Sequence, residues 1–205
     1  MKAADAASRI IAALVIIIPV ALIAVLFLPR ALPWWGDGGD WLKRVNAILG
    51  NNYPMWQQTT FQYPPLFMLL VAGASKFLGE VLALKLMALA AYGLFPLTTY
   101  FLTKELFGGR VVAIGSAWLA GFTPIWVEMI GWGGYPDLLG LAMLSFAFYG
   151  IFRYKRSGTR GNLIILAAGS VIVPLTHHLT FITFIGVLVL WGLASIKFDR
   201  PSLKP

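Results

Sequence analysis

Seven apolar runs separated by short polar segments make up most of this chain. They occupy residues 10–28, 65–78, 81–102, 111–127, 138–152, 163–175 and 179–196. A helix needs about 20 predominantly apolar residues to cross a bilayer, and backbone polar groups inside lipid must be paired within the crossing segment. The pattern therefore predicts an all-α polytopic membrane protein.

Run 65–78 has about 14 residues and opens with prolines, so it is short for a crossing. If all seven runs crossed, the basic loop 153–160 would lie on the side opposite to the basic amino terminus, against the positive-inside rule. Interpreting 65–78 as a juxtamembrane or re-entrant helix within a first outer loop, 29–80, removes this conflict. The expected protein is then one transmembrane domain, 1–205, with six spans.

In this topology the chain is a multi-pass protein of the cell membrane with both termini in the cytoplasm. Eleven of the 16 basic residues lie on the cytoplasmic side. The first run follows Lys2 and Arg9 and ends at Pro29-Arg30 rather than at a small-residue cleavage site. We therefore expect it to be an uncleaved anchor helix.

Composition supports a location in the membrane and excludes some kinds of catalytic and metal site. Hydrophobic residues make up 59% of the chain and charged residues 12%, which is too apolar for a soluble domain of this length. The net charge of +8 arises from residues spread between the runs, so nucleic acid is not an expected partner. With no cysteine, thiol nucleophiles and thiolate metal sites are excluded.

The first outer loop carries two acidic residues, Asp37 and Asp40, within a glycine-rich stretch. Residues three apart share a face if this stretch begins a helix, so the pair could place a general base beside a cation ligand. The alternative is a flexible turn leading into an interfacial helix that Asp40 caps. Lys43 and Arg44 follow within one turn and could bind phosphate, or could instead extend toward lipid head groups.

Aromatic residues are frequent in the same loop. Trp41 and Tyr63 could stack on a sugar, although Trp and Tyr at an interface more often anchor a protein among the head groups. The segments Tyr53–Trp56 and Gln62–Pro65 add further aromatic, glutamine and proline residues.

Two more polar groups fall at the outer ends of predicted spans. Glu128 and Asp137 flank a glycine-rich loop, and an unpaired carboxylate at the position of Glu128 would be costly, whereas Asp137 could simply cap the next helix. His177 and His178 separate two apolar runs. Histidine can act as an acid, a base, a hydrogen-bond donor to phosphate or a metal ligand. We expect these groups to line one outer cavity with Asp37.

The order of these motifs resembles the amino-terminal module of GT-C membrane glycosyltransferases. The resemblance covers roughly residues 10–196 and is carried by the following residues: Asp37, Arg44-Val45, Tyr53-Pro54-Met55-Trp56, Tyr63-Pro64-Pro65-Leu66, Gly134-Tyr135-Pro136 and His177. It is closest to large prokaryotic transferases that use polyprenyl-phosphate sugars. In such enzymes further transmembrane helices usually follow.

The resemblance implies inverting transfer of a sugar from a polyprenyl-phosphate donor to an acceptor at the outer membrane face. It assigns Asp37 as the catalytic aspartate. His177 and Asp40, the latter outside the family's motif, are further catalytic candidates. Donor and phosphate contacts would come from Lys43, Arg44, Tyr63, His178 and Trp41. Glu128 and Asp137 are candidate ligands for Mg²⁺ or Mn²⁺, the ions that an oxygen-rich site favours, but an obligatory metal is not the favoured interpretation.

Two other classes of function remain open from the sequence. A non-catalytic GT-C-like subunit or scaffold would bind lipid or a partner membrane protein that completes the module. A transporter or channel is disfavoured, because ionisable residues are sparse in the middle of the spans, where ion pathways need them.

Overall fold

The computed structural model describes residues 2–30, 37–50 and 63–198, and all regular structure within them is helical. The helices are α1 (Lys2–Phe27), α2 (Gly38–Ile48), α3 (Leu66–Leu78), α4 (Glu80–Phe107), α5 (Arg110–Phe122), α6 (Pro124–Trp132), α7 (Tyr135–Ser157), α8 (Arg160–Thr176) and α9 (His178–Phe198). The all-α prediction is confirmed for this part of the chain.

Three of these helices are long and apolar enough to cross a membrane, which indicates a membrane protein. They are α4, α7 and the segment Ile10–Phe27 of α1. Helices α3, α5 and α8 and the segment His178–Ala194 of α9 are apolar but shorter. The first span differs from the others in its packing, since large side chains such as Ile17 and Val25 are exposed along α1.

The predicted span 111–127 is covered by two helices with a break between them. Helix α5 ends at Phe122, Thr123 is extended with φ −63° and ψ 123°, and α6 begins at Pro124. Proline cannot donate a backbone hydrogen bond, and it disfavours helical backbone in the residue before it. The apolar run continues through this break because a run of apolar residues does not show whether the helix is continuous.

Other helices extend beyond the predicted apolar runs into polar residues. Helix α7 covers Tyr135–Ser157 where the run suggested 138–152, and α4 continues to Phe107. Both end at a left-handed glycine, Gly158 and Gly108 respectively, the usual conformation of a helix C-terminus.

A large buried apolar cluster draws on α1, α2, α3, α4, α6 and α7, and a second close contact joins α1, α4 and α5. Pro19 and Pro96 are fully buried within their helices, and a Cβ at Gly121 of α5 would lie 2.8 Å from Pro19 Cγ. Tyr92 of α4 donates its hydroxyl proton to the carbonyl of Gly121. The absence of a side chain at Gly121 thus permits the close approach of three helices.

Helices α7 and α8 also pack through small residues. A Cβ at Gly169 would lie 2.7 Å from the Cα of Ala147, so the two backbones are in contact. Such close packing is how apolar helices associate without large side chains between them. It fixes the end of α8 beside the beginning of α7.

Lys85 of α4 is buried and caps the end of the first helix. Its ammonium group donates to the carbonyl of Leu28 at 2.9 Å and to that of Arg30. A cation at a helix C-terminus pairs with carbonyls that lack partners in the helix. Lys85 therefore joins the end of α1 to α4.

Candidate functional site

The start of α2 is tied to the end of α6 by backbone contacts. The Asp37 amide donates to the carbonyl of Trp132 at 2.8 Å, and the indole nitrogen of Trp41 donates to the carbonyl of Gly133 at 2.6 Å. Gly133 has φ +99°, and a Cβ there would lie 2.6 Å from the amide nitrogen of Gly38. Only glycine satisfies both the conformation and the space at this junction.

The carboxylate of Asp37 is not used to hold this junction. Asp37 is the N-cap of α2, but its side chain accepts no hydrogen bond from the first turn. The residue is exposed, although neighbouring atoms remove part of the water around its carboxyl group. This desolvation, followed by repulsion from Asp40 and Asp137, raises the pKa of Asp37, and Arg44 opposes the shift.

Tyr63 occupies the centre of the cluster. Its ring centroid lies 5.1 Å from that of Trp41, 5.7 Å from that of His177 and 5.5 Å from that of His178. Burial and the carboxylates of Asp137 and Asp37 raise the pKa of Tyr63. The phenol therefore remains a protonated hydrogen-bond donor between the two acids.

Arg44 supplies the positive charge on the same side of α2. Its guanidinium carbon is 5.9 Å from the centroid of the Trp41 ring and 6.0 Å from that of Tyr63, which is within cation–π range. Its charge also opposes the upward shifts in the pKa values of Asp37 and Tyr63. The site thus combines a carboxylate and a guanidinium around two aromatic rings.

Asp137 and His177 form a close pair at the other wall of the site. His177 Nε2 lies 2.6 Å from Asp137 Oδ1, and His177 Nδ1 lies 3.4 Å from the hydroxyl of Thr180. His177 is extended, with φ −159° and ψ 135°, because it separates α8 from α9. That break turns the imidazole toward the first turn of α7, where Asp137 lies.

The histidine pair divides into two environments. His177 is partly buried and has a partner at each ring nitrogen. His178 is exposed and makes an edge contact with Tyr63. His178 is therefore better placed than His177 to meet a ligand arriving from solvent.

Asp40 and Lys43 pair with each other on α2. Lys43 Nζ lies 2.9 Å from Asp40 Oδ1, and both side chains are about half exposed, at 47% and 46%. Such a pair one helical turn apart has little structural value. Asp40 reaches the site through its charge, since it raises the pKa of Asp37.

Glu128 stands apart from this cluster. It is exposed in the middle of α6 and is not among the carboxylates that shift the pKa of Asp37. Within the described ranges, His, Asp and Glu residues form no group of three that could hold a metal ion. The two predicted metal ligands, Glu128 and Asp137, thus do not combine into a fitting Mg²⁺ or Mn²⁺ site there.

Some sequence motifs lie outside the described residues. They are Trp34, Trp35 and Gly36 before Asp37, and Tyr53–Trp56 and Gln62 before Tyr63. The interpretation of these segments stays a prediction.

Three further residues shape the site and were not singled out from the sequence. Gly133 admits the backbone of α2, Thr180 meets the ring of His177, and Gly140 provides the space for both, since its Cβ would lie 2.7 Å from Thr180 Oγ1. Gly140 follows Asp137 by three residues, a spacing that places both on one helix face. From that spacing the sequence could have placed Gly140 beside Asp137, whereas no feature of the neighbouring sequence distinguishes Thr180 as a site residue.

The chain was also compared with known proteins. No family model, curated protein or solved structure matches it.

Proposed function

We propose that this chain is a membrane glycosyltransferase of the GT-C type, which moves a sugar from a polyprenyl-phosphate donor to an acceptor at the outer membrane face. The observation that carries the proposal is the position of the Asp37 carboxylate. It is exposed, is not used as a helix cap, has a raised pKa, and shares a cluster with Arg44 and the Asp137–His177 pair.

The proposed topology has six crossings, formed by α1, α4, α5 with α6, α7, α8 and α9. It is supported by pairs of helix ends that meet. The beginnings of α2 and α7 and the end of α8 share one cluster, while the ends of α4 and α7 meet through Glu105 and Arg153. Helices α2 and α3 then belong to the outer loop.

In the proposed reaction Asp37 acts on the acceptor. Its carboxylate accepts the proton of an acceptor hydroxyl, or orients an acceptor amide, as the acceptor attacks the anomeric carbon. A new bond to that carbon forms while the bond to the donor phosphate oxygen breaks. The configuration inverts because the displacement is single.

The departing polyprenyl phosphate carries the developing negative charge. Arg44 and the exposed His178 are the groups that can stabilise it, and the protonated phenol of Tyr63 can donate a hydrogen bond. Trp41 and Tyr63 offer ring faces for the sugar. Asp137 holds His177 in place, so we assign this pair to positioning rather than to contact with phosphate.

The deciding experiment measures sugar transfer from polyprenyl-phosphate donors by the purified protein. Asp37→Asn should lower the rate by about 10² to 10⁴, the usual contribution of a general base, while leaving thermal stability unchanged. Asp40→Asn is the matched control and should cost less, because Asp40 already pairs with Lys43.

Full activity in Asp37→Asn would eliminate this mechanism. A wild-type protein that binds donor but transfers nothing, with or without a co-purifying membrane protein, would favour the non-catalytic subunit.

The topology can be tested separately in this cysteine-free chain. Cysteines introduced at Thr59 and Ser157 should react with an impermeant thiol reagent from opposite sides of the membrane. Reaction of both from the same side would refute the six-crossing arrangement.

A further inference from the structure

Two cavities meet at the ends of α4 and α7 that lie away from Asp37. A polar cavity of about 320 Å³ is lined by Glu105, Leu106, Phe152, Lys155 and Arg156. An apolar groove of about 270 Å³ is lined by Leu102, Leu106, Phe148, Phe152, Val187 and Trp191. Leu106 and Phe152 line both, so the polar cavity and the groove are adjacent.

The polar cavity has an excess of positive charge. The Glu105 carboxylate is buried and accepts from Arg153 at 3.2 Å, and it lies 3.1 Å from Arg156 Nε. Arg156 also donates to the backbone carbonyl of Glu105 at 2.7 Å. One acid therefore fixes two arginines, and Lys155 adds a third cation, which leaves the group with a net positive charge.

Lys155 connects the two cavities. Its ammonium group lies 5.2 Å from the centroid of the Trp191 ring, and Trp191 contacts Phe152 at 5.4 Å between centroids. The cation thus sits at the mouth of a groove whose walls are aliphatic and aromatic. A ligand that fills both parts must carry an anionic group next to an apolar chain.

We propose that this composite site binds one anionic phospholipid of the membrane. The headgroup phosphate lies in the polar cavity against Lys155 and Arg156, and one acyl chain follows the groove past Phe148 and Val187 toward α9. The volume of the polar cavity is at the lower end of the roughly 300–1,000 Å³ that small-ligand sites occupy. It fits a headgroup rather than a whole lipid.

The site is separate from that of the proposed transfer reaction. Asp137 and Arg156 are 19 positions apart on α7, which corresponds to about 28 Å along the helix axis. Lipid binding here therefore does not depend on the glycosyltransferase assignment.

The test is titration of delipidated protein in detergent with phosphatidylglycerol, with binding followed by native mass spectrometry. Lys155→Gln should weaken phosphatidylglycerol binding about five-fold, the contribution of one basic residue near anionic lipid. It removes a charge without leaving Glu105 unpaired. Lys104→Gln is the matched control, because Lys104 lies at the same end and contacts an aromatic ring, that of Tyr100, but lines neither cavity.

A second pair of variants tests the groove. Val187→Trp should fill it and weaken phosphatidylglycerol binding, whereas Leu190→Trp, on the same helix but outside the groove, should have no effect. Asp37→Asn should also leave lipid binding unchanged, which separates this proposal from the transfer reaction.

Three results would overturn the proposal. They are equal affinity for zwitterionic phosphatidylcholine, equal effects of Lys155→Gln and Lys104→Gln, and binding of glycerol phosphate as tight as that of phosphatidylglycerol and insensitive to Val187→Trp. The last would identify a site for soluble phosphate instead of lipid.

Discussion

Two carboxylates at opposite ends of this helix bundle, Asp37 and Glu105, have opposite uses. Glu105 is buried between Arg153 and Arg156 and joins α4 to α7. Asp37 is exposed, and the junction around it is made by its own amide and by the indole of Trp41.

The difference shows which acid is available for chemistry. Glu105 lies in the last turn of α4, where the helix dipole disfavours negative charge, so two arginines are needed to compensate it. Asp37 lies at a helix N-terminus, yet desolvation and two neighbouring acids raise its pKa. A carboxylate that contributes no structural bond, and whose proton affinity is raised, is suited to accept a proton.

The largest effect should come from the backbone junction at the Asp37 end. Gly133→Ala forces φ +99° on a residue with a side chain, which costs about 1–2 kcal/mol before the clash with Gly38 is counted. We expect a large loss of thermal stability in detergent and loss of transfer activity. Gly131→Ala is the control, because a Cβ there meets no atom within 4 Å; equal behaviour of the two variants would contradict the described junction.

Glu105→Gln should have the next largest effect, on stability alone. The variant removes the charge on the acceptor of the Arg153 hydrogen bond, a charge-assisted bond of a kind worth about 1.5–3 kcal/mol, and the ion pair with Arg156, although the partly exposed arginines can regain water. We expect a net loss of about 1–2 kcal/mol, measured as a lower unfolding midpoint, with transfer activity retained below that temperature. If Asp37→Asn destabilised the protein as much as Glu105→Gln, the contrast between the two acids would fail.

The smallest effect concerns the pH dependence of transfer. In the proposed reaction the active base is ionised Asp37, so activity should fall as pH decreases through its raised pKa. Asp40→Asn removes one cause of that shift, so the acid limb of the profile should move to lower pH. Arg44→Gln removes the opposing charge and should move the limb to higher pH. If the acid limb moved in the same direction in both variants, Asp37 would be excluded as the titrating base.

Much of the helical architecture could be predicted from hydrophobic runs, but their boundaries could not. The run through 111–127 conceals the break at Thr123, because apolar composition does not show whether a helix is continuous. Conversely, α7 extends three residues before its apolar run to include Asp137. A polar residue can occupy the first turn of a helix, but a pattern of apolar residues does not show that the helix includes it.

For the site, the sequence identified the residue types but not their partners. The sequence does not distinguish the neighbouring residues His177 and His178. The break between α8 and α9 places His177 beside Asp137 and leaves His178 exposed. Asp40 and Lys43, both candidate site residues, pair with each other. Nothing in the sequence marks Lys85 as the residue that caps the end of α1.

By itself the sequence determined that the chain is helical and apolar enough for a membrane, since that follows from the length and composition of local runs. It also determined which polar residues are unusual enough to suggest chemistry. Only the tertiary structure decided that the charge of Asp137 acts on Asp37, that Asp137 pairs with His177, and that Glu105 is held by two arginines. These contacts join segments about 40 to 100 positions apart, and no local pattern encodes them, because they depend on how close-packed glycines and prolines let the helices approach.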